Sequence, residues 1–343
     1  MIRVLVADDS TTVRQLLVRL LLEDERIAVV GEAADGLEAL EKARLLRPDV
    51  ITMDVNMPRL DGLGATAAIM AETPARVLVI SSVSEHRQLE LSFKAMAAGA
   101  LEVIAKPRPN EPMREWGRKL VESIRLMAEV PVVRRHRSQP PPPHAAGAHA
   151  FEVDAIALVA STGGPPALAR VLGELPPDLP IPLLVAQHIA QGFLPGLVRW
   201  FASVCGLRIR VAQDGEAPAR GSVYLPPDGC DLEADAHGLL RTPRANGLHC
   251  PSGNRLLHSL ARVYGPRAAG FLLTGMGDDG AQGLLALRNA GGATWAQDEH
   301  TSVVFGMPQA AVQLGAARAV IPLESIAHAI LELCKQTRKS AWT

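Results

Sequence analysis

The sequence predicts an α/β protein of two doubly wound domains, each built on a mostly parallel sheet. Three observations predict it. Over residues 1–130 five short apolar runs alternate with helical patterns, as strands joined by crossover helices do. A stretch without apolar periodicity, 131–151, then interrupts the chain, and from 152 to 343 the alternation resumes. In both halves polar residues stand where apolar runs stop. In an open parallel sheet those stops share one edge, where ligands bind.

Size and composition fit this class. A chain of 343 residues has room for two full cores. Apolar residues make up 48% and charged residues 21%, the balance of a soluble globular protein. A formal net charge of −1 gives no electrostatic reason to expect nucleic-acid binding. Cys205, Cys230, Cys250 and Cys334 stand far apart in sequence without a CxxC pair, which speaks against a disulfide framework or a zinc site. The N-terminus runs straight into a strand pattern, and no apolar stretch reaches about eighteen residues. The expectation is a cytoplasmic monomer that neither crosses nor inserts into a membrane.

Taken in order, Ile2 to Ala7 reads as a strand, and Val13, Leu16, Leu17, Leu20 and Leu21 as the buried stripe of a helix. Ile27 to Val30, Val50 to Met53, Val77 to Ile80 and Leu101 to Ala105 are further strands, each followed by a helical segment. The last helix carries Met113, Trp116, Leu120, Ile124 and Met127 at helical spacing. Asp8 and Asp9 mark the end of the first strand, Asp54 the third, Ser81 the fourth and Lys106 the fifth. Clustered carboxylates repel one another and call for a hard divalent cation such as Mg²⁺. A carboxylate beside such an ion and a lysine can attack a phosphoryl donor, because both cations neutralise charge on the transferred group. Each residue alone also has an ordinary reading, such as an N-cap for Asp9 or a turn for Ser81.

Asp8-Asp9, Asp54 within Met53-Asp54-Val55-Asn56-Met57-Pro58, Ser81 and Lys106-Pro107 together resemble the receiver domain of two-component response regulators, over roughly residues 1–128. The resemblance implies a flavodoxin-like fold and phosphorylation of Asp54 by a histidine kinase. It implies Mg²⁺ held by Asp9, Asp54 and the Asn56 backbone carbonyl, with Asp8 assisting. Ser81 would be the switch hydroxyl and Lys106 the phosphate partner.

Residues 131–151 hold Arg134-Arg135-His136-Arg137 and the run Pro140 to Pro143, a composition for an extended, semi-rigid linker. Beyond it, Ala155 to Ala160 is an apolar run suited to a strand covered on both faces. It stops at Ser161-Thr162-Gly163-Gly164-Pro165-Pro166, where glycines permit a sharp turn and prolines can open the next helix. Such a turn lifts a hydroxyl above the sheet edge and aims helix N–H donors at whatever it attacks.

Pro182 to Ala186 is a strand ending in Gln187-His188, and Leu207 to Ala212 and Ser222 to Leu225 are strand candidates. Asp231 to Thr242 resembles an antiparallel hairpin turning near His237-Gly238. Leu256 to Tyr264 is helical, and Ala268 to Leu273 is a strand leading into Thr274-Gly275-Met276-Gly277-Asp278-Asp279-Gly280. A helix from Ala281, a strand near Ala293 to Ala296 and a helix over 323–335 close the chain. No helix-turn-helix appears, which removes DNA binding as an output.

Three strands thus end in Ser161, His188 and Asp279. Serine is a weak nucleophile until a histidine takes its proton, and that histidine needs a carboxylate to fix its tautomer. The Gly275-Met276-Gly277 turn could present N–H groups to an oxyanion. Asp278, Asp214 and Asp228 are rival acids, and the order Ser, His, Asp differs from that of the α/β-hydrolases. The residues say serine hydrolase without saying which.

Val159-Ala160-Ser161-Thr162-Gly163-Gly164, Gln187-His188, Leu273 to Gly280 and Val304-Phe305-Gly306-Met307-Pro308 resemble the chemotaxis protein-glutamate methylesterases, the CheB family, from about residue 153 to 335. The resemblance implies Ser161 as nucleophile, His188 as general base and acid, Asp279 as orienting carboxylate, the Met276 N–H as oxyanion donor, and Thr162 in support. It gives the output sheet a Rossmann-like fold. Three departures stand out. Val159 replaces a frequent glycine, Ile189 a frequent methionine, and Cys250-Pro251-Ser252-Gly253-Asn254 is only loosely family-like.

The expectation is a phosphorylation-activated esterase, with no cofactor for the esterase step, that removes γ-methyl esters from glutamates on the cytoplasmic helices of chemoreceptors and deamidates their glutamines. An unphosphorylated receiver is expected to cover the Ser161 edge. A silent binding module and an esterase for other substrates are the alternatives.

Overall fold

Short β-branched and aliphatic runs with no room for a helical stripe make the strands here, and the computed structural model sets them into two parallel sheets. It describes residues 1–82, 86–107, 112–129, 152–247 and 249–340. The expected linker, 131–151, lies outside the described residues. By its contacts the chain divides into two units, Met1–Arg137 and Ser138–Thr343.

In the first unit β1 (Ile2–Ala7), α1 (Thr11–Leu21), β2 (Ile27–Ala33), α2 (Gly36–Leu46), β3 (Val50–Asp54), α3 (Gly62–Glu72), β4 (Arg76–Ser81), α4 (His86–Ala98), β5 (Glu102–Ala105) and α5 (Met113–Glu129) alternate without exception. The strands pair in the order β2-β1-β3-β4-β5, all parallel. Helix starts follow local chemistry. Ser10 accepts from the Val13 N–H, Asp35 from those of Leu37 and Glu38, and Asp61 from that of Gly64, each satisfying a donor that the first helical turn leaves free. Leu17, Leu20 and Leu21 of α1 meet Trp116, Leu120, Ile124 and Met127 of α5 in one core cluster. Met113, placed in the same stripe by its spacing, is exposed, because it stands in the first turn beyond the sheet's cover. Strand β2 runs three residues past its expected end through Gly31 and Glu32, where the apolar signal fades before the pairing does.

The second unit runs β6 (Ala155–Ala160), α6 (Gly164–Gly173), β7 (Leu183–Gln187), α7 (Leu194–Val204), β8 (Arg208–Val211), β9 (Ser222–Leu225), β10 (Glu233–Ala234), β11 (Leu240–Arg241), α8 (Gly253–Val263), β12 (Ala268–Leu272), α9 (Ala281–Asn289), β13 (Ala293–Gln297), α10 (Met307–Gln313), β14 (Ala319–Ile321) and α11 (Leu323–Ser340). Seven strands form one wholly parallel sheet, β14-β13-β12-β6-β7-β9-β8. The hairpin β10–β11 is a separate antiparallel pair that turns through Gly238 at φ 75°. Every residue of β6, β7 and β12 is buried, as strands covered by helices on both faces must be. From β6 the chain first builds outward to β7, then returns to lay β12 on the other side. The strand order therefore reverses beside β6, and the crevice of an open parallel sheet opens at such a reversal.

Candidate active site

The run Ala155 to Ala160 packs so tightly that its first polar residue falls at the sheet edge, and that residue is Ser161. The Ser161 N–H donates to the Thr274 carbonyl at 3.0 Å, which ties the end of β6 to the turn after β12. Gly163 then takes φ +75°, and a Cβ there would stand 2.5 Å from Val303, so only glycine fits the turn. Pro165 and Pro166 lie in the first turn of α6, where no N–H partner is needed. Ser161 is left half-exposed at the α6 N-terminus.

His188 follows β7, its N–H donating to the Ala160 carbonyl at 3.0 Å. Its ring Nε2 lies 2.8 Å from Asp279 Oδ2. Among the described residues no hydrogen bond joins the ring to the Ser161 hydroxyl; Nδ1 is the ring nitrogen that Asp279 leaves over. The ring of His249 stacks on that of His188, centroids 5.0 Å apart and planes 10° from parallel.

Asp279 is 1% exposed. Its Oδ1 accepts from the Ser252 hydroxyl at 3.1 Å and the Asn254 N–H at 3.0 Å, and its Oδ2 accepts from the Gly253 N–H at 2.6 Å. The carboxylate thus sits on the N-terminus of α8, whose free donors and dipole favour a negative charge. Burial alone would raise its pKa, but His188 and the α8 N–H groups outweigh it and hold the carboxyl down at about 2. The rival acids are engaged elsewhere. Asp214 pairs with Arg241, Asp228 accepts from the Gly192 N–H, and Asp278 is exposed.

The Thr274–Met276 turn presses directly on the serine. A Cβ at Gly275 would lie 2.7 Å from Ser161 Cβ and 2.3 Å from Met307 Sδ. Gly275→Ala is therefore expected to cost about 1–3 kcal/mol through overpacking, read as a lower thermal midpoint together with reduced turnover; an unchanged midpoint would contradict the contact. Among the described residues the Met276 N–H has no protein acceptor. Thr162 contributes its carbonyl, which accepts from the Thr274 hydroxyl at 3.0 Å; among the described residues its own hydroxyl makes no hydrogen bond. Ile189 lines a depression beside His188 with Leu194, Pro226, Cys230 and Pro251. Among the described residues no disulfide joins the four cysteines, and Cys250 lies beside Cys230, its Sγ 3.9 Å from the Cys230 carbonyl.

The first unit has its own polar edge, again where the strand order reverses, between β1 and β3. Asp8, Asp9 and Asp54 bring one carboxylate oxygen each to within 4.8 Å of one another. Lys106 Nζ lies 2.8 Å from Asp8 Oδ2 and 3.0 Å from Asp54 Oδ1. Burial, then the Asp8 charge, push Asp54 up to about 6 against the pull of Lys106. Burial lowers Lys106, but the two carboxylates more than reverse this. The oxygen donor set and its excess negative charge fit a hard divalent cation. The Asn56 N–H donates to Asp54 Oδ2 at 3.2 Å. The Ser81 hydroxyl is buried without a hydrogen-bond partner among the described residues.

Comparison with known proteins bears on both units. The CheB methylesterase family matches residues 156–330 and the response regulator receiver domain residues 4–116. A Myxococcus xanthus protein named protein-glutamate methylesterase/protein-glutamine glutaminase 3 is 55% identical over 336 residues, covering 97% of this chain and 94% of its own. The chain belongs to the CheB methylesterase family. An Anaeromyxobacter dehalogenans member of the same name, numbered 2, is 45% identical over 97% of both chains. The crystal structure of the Thermotoga maritima CheB methylesterase catalytic domain aligns with 53% of this chain and 99% of its own, at 32% identity and TM-score 0.51.

Within this CheB-family unit, sequence reasoning missed the residues that hold the others. Ser252, Gly253 and Asn254 grip Asp279, Thr274 fastens the Thr162 carbonyl, and Gln187 and Gln297 bond the loops beside Ser161. One signal was available. Ser252, Gly253 and Asn254 open a helix, and a serine followed by a free helix start is an anion seat.

Proposed function

We propose that the protein is a phosphorylation-controlled esterase that hydrolyses glutamate γ-methyl esters on chemoreceptors and deamidates receptor glutamines. The observation that carries it is the His188–Asp279 hydrogen bond, 2.8 Å long and seated on a helix N-terminus, at the sheet edge beside Ser161. In this reading Ser161 Oγ attacks the ester carbonyl while His188 takes its proton through the ring nitrogen that Asp279 leaves over. Asp279 steadies the imidazolium. The Met276 N–H and the α6 N-terminus receive the oxyanion. His188 returns the proton to the departing methoxide, and methanol leaves. Water then frees the glutamate, with His188 again as base. An amide passes through the same tetrahedral intermediate, which supports deamidation, as does the name of the relatives. Thr162 acts through the carbonyl held by Thr274.

The receiver unit sets the timing. We assign Asp54 as the phosphoacceptor, with Asp8, Asp9, Asp54 and the Asn56 carbonyl as the residues that would hold Mg²⁺. The ion, when bound, supplies positive charge for the phosphoryl oxygens. Lys106 meets a phosphoryl oxygen from the position it now shares between two carboxylates, and the buried Ser81 hydroxyl gains an acceptor when Asp54 is phosphorylated. The partners are a histidine kinase and receptor helices in the cytoplasm; no helix of the described residues is long and apolar enough to cross a membrane.

The test is methanol release from membranes carrying methylated receptors, with and without a small-molecule phosphodonor and Mg²⁺. Release should rise with the phosphodonor and lose that rise in Asp54→Asn or in chelator. A rise that survives Asp54→Asn would remove Asp54 from its role. No release under any condition would favour a binding module.

A further inference from the structure

The β6–β7 ladder ends one residue before the groups that the chemistry needs. Ala160 pairs with Gln187, and the last rung runs from the His188 N–H to the Ala160 carbonyl. Among the described residues the carbonyls of Ser161 and His188, beyond it, have no strand neighbour. The side chain of Gln187, 3% exposed, fills this gap. Its Nε2 lies 2.9 Å from the Ser161 carbonyl and 2.8 Å from the His188 carbonyl and donates to both. Two acceptors on one terminal atom identify that atom as nitrogen, since an oxygen there would face two carbonyls.

Its other end shows what the amide is for. Gln187 Oε1 is buried without a hydrogen-bond partner among the described residues. It lies where a Cβ on Gly164 would stand, 2.1 Å away, at the start of α6. An apolar side chain of the same length would fill this space without burying an unpaired acceptor. What glutamine adds is the pair of donated hydrogen bonds. Apart from them, the Ser161 carbonyl receives, among the described residues, only the Gly164 N–H, at 2.8 Å.

We propose that Gln187 is a positioning residue that fixes the distance between the backbones of Ser161 and His188, a role that rests on reading those two as nucleophile and base. The Ser161 hydroxyl and the His188 ring make no hydrogen bond at rest among the described residues, so their approach depends on where the two backbones are held. A displacement of about 1 Å in such a pair costs on the order of a hundredfold in rate.

The test uses the full-length chain with Gln187→Met and Gln187→Glu. Methionine fills the volume and donates nothing. It should lower kcat roughly 10- to 100-fold with KM changed less than about twofold, and shift the downfield proton resonance of the His188–Asp279 hydrogen bond. Glutamate keeps the shape but, once ionised, sets a third acceptor against two carbonyls. Its activity should fall as pH rises through that ionisation, a drop absent from Gln187→Met. A folded Gln187→Met protein with parental kcat and an unmoved resonance would overturn the proposal. So would lost activity that only tracks a lowered thermal midpoint while the resonance stays in place. If the parent chain itself releases no methanol, the esterase reading fails, and the resonance still decides for or against Gln187.

Discussion

Alanine at Ser161 should lower methanol release by roughly 10⁴-fold or more, because it removes the oxygen proposed to attack the ester. The expected loss is confined to chemistry. Ser161 is half-exposed, and among the described residues its hydroxyl makes no hydrogen bond, so stability should move by less than about 0.5 kcal/mol. Receptor binding should also survive, which makes Ser161→Ala the substrate-trapping form of the protein. The partner residues act as a unit. A double variant, Ser161→Ala with His188→Ala, should be no slower than Ser161→Ala alone, since the base has no proton to take once the hydroxyl is gone. Parental release by Ser161→Ala, or a double variant slower by the product of the two single effects, would each break the triad assignment.

Asparagine at Asp279 should be nearly as damaging, about 10³- to 10⁴-fold in kcat, and unlike the serine change it should also destabilise. The carboxylate has two oxygens and each is used twice. Oδ1 accepts from Ser252 and Asn254, and Oδ2 from Gly253 and His188. An asparagine has one oxygen, so either way round its NH₂ faces donors of α8, a buried mismatch worth about 1–3 kcal/mol.

The pH dependence has a definite sign. The folded pKa of Asp279 is depressed to about 2, so its contribution to stability is complete above about pH 4 and is lost as pH falls toward 2. Asp279→Asn should remove that part of the acid-unfolding curve. An Asp279→Asn protein retaining more than about a tenth of parental kcat would return the role to a rival acid.

The polar residues of the two sheet edges were legible in the sequence because a strand's apolar run stops where they begin. Asp54, Ser161, His188 and Lys106 all stand at such stops. Asp279 was harder: it lies seven residues past β12, in a turn with Asp278, and only the position of α8 distinguishes the two. The residues that hold these groups left no such mark. Gln187 reads as one more polar residue at a strand end, and the partnership of Ser252 with Asp279 spans 27 residues of sequence. Strands β10, β11 and β14, two or three residues each, are too short for any period to show, and they form only because larger elements bring them together.

Val159 sets a limit on the helix that seats Asp279. Its Cγ1 would stand 2.2 Å from a Cβ at Gly253 and 3.2 Å from one at Gly280. Gly280 is bound to glycine by its φ of +89°, whereas the restriction on Gly253 comes from volume. Val159 thus fills the space that any side chain at 253 would need, so bulk can come from the strand or from the start of the helix that seats Asp279, and not from both. A side chain added at 253 should therefore be tolerated only where the strand gives up its own, as in Val159→Ala.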